Sequence, residues 1–244
     1  MLTTIGFDAD DTLWQNERYY RAAEAEFASL LANYADVARL ERALNERQRL
    51  NTPLFGFGAK SFTLSMIETA IELSGGGIPA SALQKIIATG RDMLAHPVEL
   101  LPHAREAVES LAARYRVVLI TKGDLLHQER KIAASLMGGL FERIEIVSDK
   151  KAETYARIFS ETGDGPGAAM MVGNSMKSDV IPAIEAGAFG VYIPHEHTWA
   201  LERAEPPGDA SRYRELASIG DLPSLVCEIS GEFADRTISC GSRL

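Results

Sequence analysis

The sequence predicts an α/β protein, a Rossmann-like parallel sheet with helices on both faces, combined with a helical cap domain. Short apolar runs rich in β-branched residues recur along the chain, as is typical of strands covered on both faces. Helical segments separate the later runs, and this alternation favours right-handed crossovers within a parallel sheet. A long stretch of purely helical pattern follows the first run and predicts a separate, inserted unit.

Five core strands are predicted from the apolar runs. They lie at Thr3–Phe7, Arg116–Thr121, Arg143–Val147, Ala169–Gly173 and Gly190–Pro194. Between them, helices are expected at Pro102–Tyr115, Lys151–Gly163 and Lys177–Gly187, the last two ending at a glycine that suits a helix C terminus. A last short strand and helix are expected within Tyr213–Val226, and the tail from Gly231 is expected to be poorly ordered.

Residues 17–97 carry apolar side chains at helical spacing and no convincing strand, with Ser61 a candidate N-cap of one helix. An insertion after the first strand is expected to cover the carboxyl edge of the sheet, where open α/β sheets bind ligands. The predicted division is therefore a core domain of residues 1–16 and 98–244 and a cap domain of residues 17–97. Prolines near the return, Pro97 and Pro102, mark a candidate hinge.

The charge and the cysteine content limit the partners and the location of the protein. The formal net charge is −9, which argues against nonspecific attraction to nucleic acid. Cys227 and Cys240 are too few for a disulfide framework and fit a reducing cytosol. The chain shows neither a signal-peptide pattern nor an apolar stretch of membrane-spanning length, so a cytoplasmic protein without a membrane partner is expected.

Three acidic residues, Asp8, Asp10 and Asp11, stand within four positions at the end of the first strand. A hard divalent cation such as Mg²⁺ would offset such a cluster with oxygen ligands. Asp8 and Asp10 share a side-chain direction if strand geometry persists, whereas Asp11 is expected to serve the turn or the start of a helix. Taken alone, the cluster does not distinguish a metal site from a solvated acidic turn.

Three further features should reach the same edge of the sheet. Thr121 ends a strand and precedes Lys122 and Gly123, whose amides can hold a phosphate oxygen. Lys150 stands before a helix, and Asp179 follows a strand and a glycine-containing turn. Each feature also has an ordinary structural reading, as a strand end, a surface lysine or an acidic residue that suits a helix N terminus.

In this order the features resemble the haloacid dehalogenase (HAD) superfamily of phosphohydrolases, over residues 3–16 and about 100–194, with a cap of its helical type. No single match identifies the superfamily, but the order of the matches along the chain and their structural contexts together do. The chain departs from the fourth motif at Asn174, and Lys151 is a lesser candidate for the third. The matching residues are Asp8, Asp10 and Thr12 in D-x-D-x-T, Thr121 at a strand end, Lys150 before a helix, and Gly173 and Asp179 in G-D-x-x-x-x-D.

The resemblance implies a Mg²⁺-dependent phosphohydrolase that cleaves a small phosphate monoester through an aspartyl-phosphate. It makes Asp8 the nucleophile and Asp10 the general acid and base. Thr121, Lys150 and the Lys122–Gly123 amides would bind the phosphoryl group. The implied Mg²⁺ ligands are Asp8, the backbone carbonyl of Asp10, Asp179 and Asn174. An asparagine contributes no charge, so metal affinity is expected to be lower than in relatives with an aspartate there.

Other reactions of the superfamily stay open as alternatives. A dehalogenase expels a halide, which needs no proton, and that branch typically lacks the second aspartate, so Asp10 favours a phosphatase. A phosphomutase shares all four motifs, and phosphonate cleavage needs a cap lysine as a Schiff base. Lys60 lies in an aromatic, glycine-containing cap loop and is a candidate substrate contact.

A signalling receiver domain is disfavoured by the helical insertion, and only Asn174 favours a catalytically weak binding or regulatory relative.

Two other features lie outside the four motifs. His195 and His197 have the spacing of a metal pair but no flanking Cys or His partners, so a solvated loop is expected there. Trp14 directly follows the first motif and is expected to pack at the junction of cap and core. A small phosphorylated metabolite is the expected substrate, but a single sequence does not orient the cap residues that select it.

Overall fold

The computed structural model of the chain describes residues 1–208 and 211–231. A six-stranded, wholly parallel sheet has the order β3-β2-β1-β4-β5-β6. The α/β prediction is thereby confirmed. The strands are β1 (Thr4–Phe7), β2 (Arg116–Lys122), β3 (Arg143–Val147), β4 (Ala169–Gly173), β5 (Phe189–Tyr192) and β6 (Tyr213–Glu215).

The helices cover both faces of the sheet and form a separate group after β1. They are α1 (Glu17–Leu30), α2 (Val37–Phe55), α3 (Ala59–Leu73), α4 (Ala80–Ala95), α5 (Ala104–Ala112), α6 (Leu125–Ser135), α7 (Ala152–Thr162), α8 (Ile181–Glu185) and α9 (Leu222–Ile229). No helix in the described ranges is long and apolar enough to cross a membrane. Apart from Gly231 itself, the tail predicted from Gly231 onward lies outside those ranges.

The central strands are buried on both faces, which explains their unbroken apolar sequences. On one face Ile5 and Leu119 join a cluster completed by α5 and α9, and on the other Val118 and Met171 pack against Phe159 of α7. Burial of a large aliphatic side chain contributes about 1.5–3 kcal/mol. The central strands therefore form a rigid base for the loops at their carboxyl ends.

Helices α1–α4 enclose their own apolar cluster, built around Phe27, Leu31, Phe62 and Met66. The division into core and cap at residues 16/17 and 97/98 stays a prediction, with which this separate cluster is consistent. Chain segments that leave and re-enter the sheet run side by side, since Gln15 N–H donates to the Glu99 carbonyl at 2.9 Å. Trp14, which is fully buried, lies at this junction.

Two local predictions were wrong. Ser61 is not an N-cap, because α3 begins at Ala59 and is capped by Gly58 at a φ of 108°. The helix expected at Lys177–Gly187 begins instead as a π-turn, Met176–Val180, before α8. Pro182 has no N–H for the Ser178 carbonyl, which instead accepts a hydrogen bond from the Tyr155 hydroxyl at 2.8 Å.

Candidate active site

The carboxyl ends of β1, β2 and β4 meet around a cavity of about 150 Å³ that residues of α1, α2 and α3 also line. Asp8 follows β1, Thr121 lies near the end of β2, and Asn174 follows β4. Parallel strands bring these ends to one edge of the sheet. Eight of the nine predicted site residues line the cavity: Asp8, Asp10, Thr121, Lys122, Gly123, Lys150, Asn174 and Asp179.

Lys150 joins two buried carboxylates. Its Nζ donates to Asp8 Oδ1 at 2.5 Å and to Asp179 Oδ1 at 2.7 Å, and all three residues are buried. Burial works against the charge of the lysine, but the two carboxylates outweigh it and raise the pKa of Lys150. The lysine is therefore a fixed positive charge beside the candidate nucleophile. Lys151, the lesser candidate, points to solvent and pairs with Asp149 at 3.2 Å.

Replacement of Lys150 by methionine is expected to lower the free energy of unfolding at neutral pH by about 3 kcal/mol, because two buried carboxylates lose their shared cation. Chemical denaturation followed by circular dichroism measures the change. Lys151→Met is the matched control, since the Lys151 side chain is 66% exposed and should be replaceable at little cost. Equal losses in the two variants would contradict a structural role for the buried ion pair.

Asp179 reaches the cavity through a closely packed turn. A Cβ atom at Gly173 would lie 2.2 Å from Asp179 Oδ2, so only glycine leaves room for that carboxylate. The same oxygen accepts a hydrogen bond from Ser175 N–H at 2.9 Å. The glycine of the fourth motif thus serves the placement of the aspartate six positions later.

Asp10 is held by three side chains. Its carboxylate accepts hydrogen bonds from Trp14 Nε1 at 2.7 Å, from Lys131 Nζ at 2.5 and 2.7 Å, and from Gln128 Nε2 at 3.1 Å. Burial would raise the pKa of Asp10, but Lys131 and these hydrogen bonds outweigh it and lower the pKa below its usual value. Gln128 also donates to Thr121 Oγ1 at 2.6 Å, which links Asp10 to the second motif.

Thr12 connects the first and fourth motifs. Its hydroxyl lies 3.2 Å from Asp8 Oδ2 and accepts a hydrogen bond from Asn174 N–H at 3.1 Å. The amide oxygen of Asn174 is 3.4 Å from the same hydroxyl. Asn174 therefore stands beside Asp8, at the position where the resemblance implies a metal ligand.

Asp11 has a structural position, in line with the sequence interpretation. Its φ of 61° turns the chain out of the strand direction, and its carboxylate accepts hydrogen bonds from Asn16 N–H at 2.8 Å and Glu17 N–H at 3.0 Å. It thereby satisfies free amides at the start of α1. His195 was expected in a solvated loop, but its side chain is 11% exposed and its Nε2 lies 3.6 Å from Asp11 Oδ1.

The two remaining lysines of the prediction differ in position. Lys122 lines the cavity, yet its Nζ donates to Glu202 Oε1 and to Ser178 Oγ, both at 2.6 Å. Lys60 does not line the cavity: it forms an ion pair with Asp124, the N-cap of α6, at 2.9 Å. This pair connects the α3 start to the core instead of offering a charge to a ligand.

Sequence reasoning missed three residues of this site: Gln128, Lys131 and Glu202. Gln128 and Lys131 are three positions apart on α6 and therefore share a helix face. An N-cap at Asp124 would have predicted the start of this helix, and the spacing would then have placed both side chains on one face. Glu202 ends a short 3-10 helix (Ala200–Glu202) in the segment after β5, and its approach to Lys122 left no periodic signal in the sequence.

The donor groups of the cavity fit Mg²⁺. Within residues 1–208 and 211–231 no three Asp, Glu, His or Cys side chains form a ready metal-binding group. Asp8 and Asp179 nevertheless supply two carboxylates, and Mg²⁺ is commonly held by one or two carboxylates together with waters and substrate phosphate. Burial, reinforced by Asp179, raises the pKa of Asp8 to about 7 in spite of Lys150, so this cluster favours further positive charge.

Comparison with known proteins places the chain in a family. A family model described as haloacid dehalogenase-like hydrolase matches residues 2–187. A haloacid dehalogenase-like family hydrolase from Xanthomonas campestris is 45% identical, with a TM-score of 0.84 over 96% of this chain and 94% of that one. A search of curated proteins gave no significant match.

More distant solved structures share the fold. One is the putative HAD-hydrolase YfnB from Bacillus subtilis bound to magnesium, at 16% identity and a TM-score of 0.62 over 92% of this chain and 98% of that one. Another is a 2-haloacid dehalogenase from Pseudomonas syringae pv. Tomato DC3000, at 21% identity and 0.62 over 94% and 100%. The family match and the 45% identical structure establish that the chain belongs to the haloacid dehalogenase-like hydrolases.

Proposed function

We propose that the protein is a Mg²⁺-dependent phosphatase that cleaves a small phosphate monoester through an aspartyl-phosphate at Asp8. One observation carries the choice of reaction: a second carboxylate, Asp10, lines the same cavity as Asp8. An alkoxide leaving group needs a proton, which Asp10 is placed to supply, whereas a departing halide needs none. Asp10 therefore places the dehalogenase and the weakly catalytic binding protein below the phosphatase, while a phosphomutase, which shares all four motifs, remains the second candidate.

In the first step an Asp8 carboxylate oxygen attacks phosphorus. The new bond joins Asp8 to the phosphoryl group, the ester P–O bond breaks, and Asp10 gives its proton to the departing oxygen. In the second step Asp10 takes a proton from a water molecule that attacks phosphorus. The bond between Asp8 and phosphorus breaks, inorganic phosphate leaves, and both carboxyl groups return to their starting states.

The remaining residues bind and orient the phosphoryl group. Lys150, already fixed on Asp8, offsets the negative charge of the phosphate as it approaches the nucleophile. Thr121 and the backbone amide of Gly123 are proposed to bind its free oxygens. Gly123 has a φ of 150°, and a Cβ there would lie 3.2 Å from Gln128 Cγ, so glycine suits this turn.

Asp8, Asp179, Asn174 and the backbone carbonyl of Asp10 are the residues proposed to hold Mg²⁺. When bound, the ion would supply positive charge that offsets the repulsion between the carboxylates and a phosphate dianion. Lys150 supplies part of this charge, but the other two lysines that line the cavity are paired with Glu202 and Asp10. We infer from the low cysteine content that the enzyme acts in a reducing cytoplasm.

Lys131 sets the resting state of Asp10. The ion pair favours the carboxylate form, which is the form needed to activate water in the second step. To act as an acid in the first step, Asp10 has to take up a proton and loosen its contact with Lys131. We therefore expect Lys131 to exchange partners when an anionic substrate enters.

The proposal is tested by assaying the hydrolysis of a panel of phosphate monoesters with and without Mg²⁺. A 2-haloacid is assayed in parallel for halide release. We expect Mg²⁺-dependent release of phosphate from at least one alkyl ester and from p-nitrophenyl phosphate, without halide release from 2-chloropropionate. Halide release without phosphate release would favour a dehalogenase. The absence of both reactions would favour a binding protein.

A further inference from the structure

The cap side of the cavity differs in charge from the core side. Among the described residues, the charged side chains that α1–α4 contribute to the lining are Glu17 and Glu24, both acidic. Arg21 pairs with Glu17 at 3.1 Å and with Glu24 at 2.8 Å, but it does not line the cavity. A leaving group that extends from the phosphate towards the cap therefore meets carboxyl groups and no lysine or arginine of the cap.

On the core side, the lysines of the described residues that line the cavity are already paired and are not available to a second anionic group. In the described part of the chain three lysines line the cavity, and each contacts a carboxylate: Lys150 on Asp8 and Asp179, Lys131 on Asp10, Lys122 on Glu202. The phosphate that reacts needs the first of these charges. To gain a lysine partner, a second anionic group on the substrate would have to break one of the other two ion pairs.

Two buried hydrogen-bond donors at the cavity lack partners. Gln48 of α2 lines the cavity and is 6% exposed, and its Nε2 has no hydrogen-bond acceptor. Trp199, in the segment after β5, also lines the cavity, and its buried Nε1 is likewise unpaired. Burying a donor without an acceptor is unfavourable, so acceptor oxygens on a ligand would remove a penalty here.

From this combination we propose that the leaving group is a small, uncharged polyhydroxy compound, such as a polyol or sugar, without a second anionic group. Its hydroxyl oxygens accept from Gln48 and Trp199, and its hydroxyl protons are donated to Glu17 and Glu24. This inference rests on the proposed phosphatase function. A hydroxyl group suits the site better than an ammonium group, because its oxygen can accept from the unpaired Gln48 and Trp199 donors, whereas an ammonium group has no acceptor.

A matched pair of substrates tests the inference. Glycerol 3-phosphate and 3-phosphoglycerate have the same carbon chain and differ in whether the end away from the phosphate is a hydroxymethyl group or a carboxylate. We expect kcat/KM to be at least about fivefold higher for glycerol 3-phosphate, because like charges face each other in the other complex. p-Nitrophenyl phosphate, measured in parallel, reports whether phosphatase chemistry is present at all.

Two variants connect the preference to the cap. Gln48→Leu is expected to lower kcat/KM for glycerol 3-phosphate by about tenfold while changing that for p-nitrophenyl phosphate little. Glu24→Gln is expected to narrow the preference between the paired substrates. Glu46→Gln is the control for Glu24→Gln. It removes the same charge, but from an exposed face of α2, where Glu46 pairs with Arg49.

The outcomes separate the two proposals. A ratio below about fivefold, a preference for 3-phosphoglycerate, or turnover of p-nitrophenyl phosphate alone would overturn the inference and leave the phosphatase proposal standing. If none of the three esters is hydrolysed, both proposals fail. An unchanged preference in both Gln48→Leu and Glu24→Gln would also overturn the inference, because the discrimination would then not come from the cap.

Discussion

Replacing Asp8 by asparagine is expected to reduce kcat for phosphate ester hydrolysis by at least about 10⁴-fold, a loss typical of removing a covalent nucleophile. An amide oxygen is a poor nucleophile, and Lys150 cannot make it a better one. The fold should survive, since asparagine has the same shape, Lys150 keeps its contact with Asp179, and one buried charge is removed. Steady-state kinetics with p-nitrophenyl phosphate and Mg²⁺ measure the loss.

Asp11→Asn is the matched control for Asp8→Asn. Asp11 lies three positions later and is equally buried at 6% exposure, but its carboxylate accepts backbone N–H groups at the start of α1. An asparagine oxygen can accept one of these hydrogen bonds, so activity should fall far less than in Asp8→Asn. Comparable losses in the two variants, or activity retained in Asp8→Asn, would argue against Asp8 as the nucleophile.

Replacing Asp10 by asparagine is expected to lower kcat/KM for an alkyl phosphate by about 10²–10⁴-fold, the usual contribution of a general acid. For p-nitrophenyl phosphate the loss in kcat/KM should be much smaller, because nitrophenolate leaves without a proton. The second step still needs a base, so this variant should accumulate the phosphorylated enzyme. Rapid mixing with p-nitrophenyl phosphate should then show a burst of nitrophenolate.

The comparison between the two esters is the internal control for Asp10→Asn. A purely structural defect would reduce kcat/KM for alkyl and aryl esters by the same factor and would give no burst. Such a result would leave Asp10 as a partner of Lys131 and Trp14 without a role in proton transfer. A larger loss for the aryl ester than for the alkyl ester would contradict the proposed chemistry outright.

The sequence predicted the position of the cavity for a physical reason. Parallel strands place their carboxyl ends at one edge, so residues at the ends of β1, β2 and β4 had to converge once the strands were recognised. Asp8, Thr121 and Asn174 follow this rule. Asp10 was expected to share the direction of Asp8 through continued strand geometry, but β1 ends at Phe7. Both side chains reach the cavity by way of the following turn.

Other contacts depended on packing between distant segments. Lys131 meets Asp10 across 121 positions of the chain, and Glu202 meets Lys122 across 80. Neither spacing is periodic, so no local pattern indicated them. Lys60 could be recognised as a cap-loop lysine, but its pairing with Asp124 depends on where the start of α3 lies relative to the N-cap of α6. The residues that the cap helices contribute to the cavity could not be predicted either, because helical spacing alone does not show which helix face covers the sheet.

Phosphorylation of Asp8 is the step on which the proposed mechanism depends, and mass spectrometry tests it most directly. The Asp10→Asn variant is mixed with p-nitrophenyl phosphate and Mg²⁺, quenched in acid during the burst and digested. We predict a phosphoryl group on Asp8, absent when the Asp8→Asn change is added. A protein that turns over the ester while the phosphoryl group is found on another residue, or on none, would contradict the account.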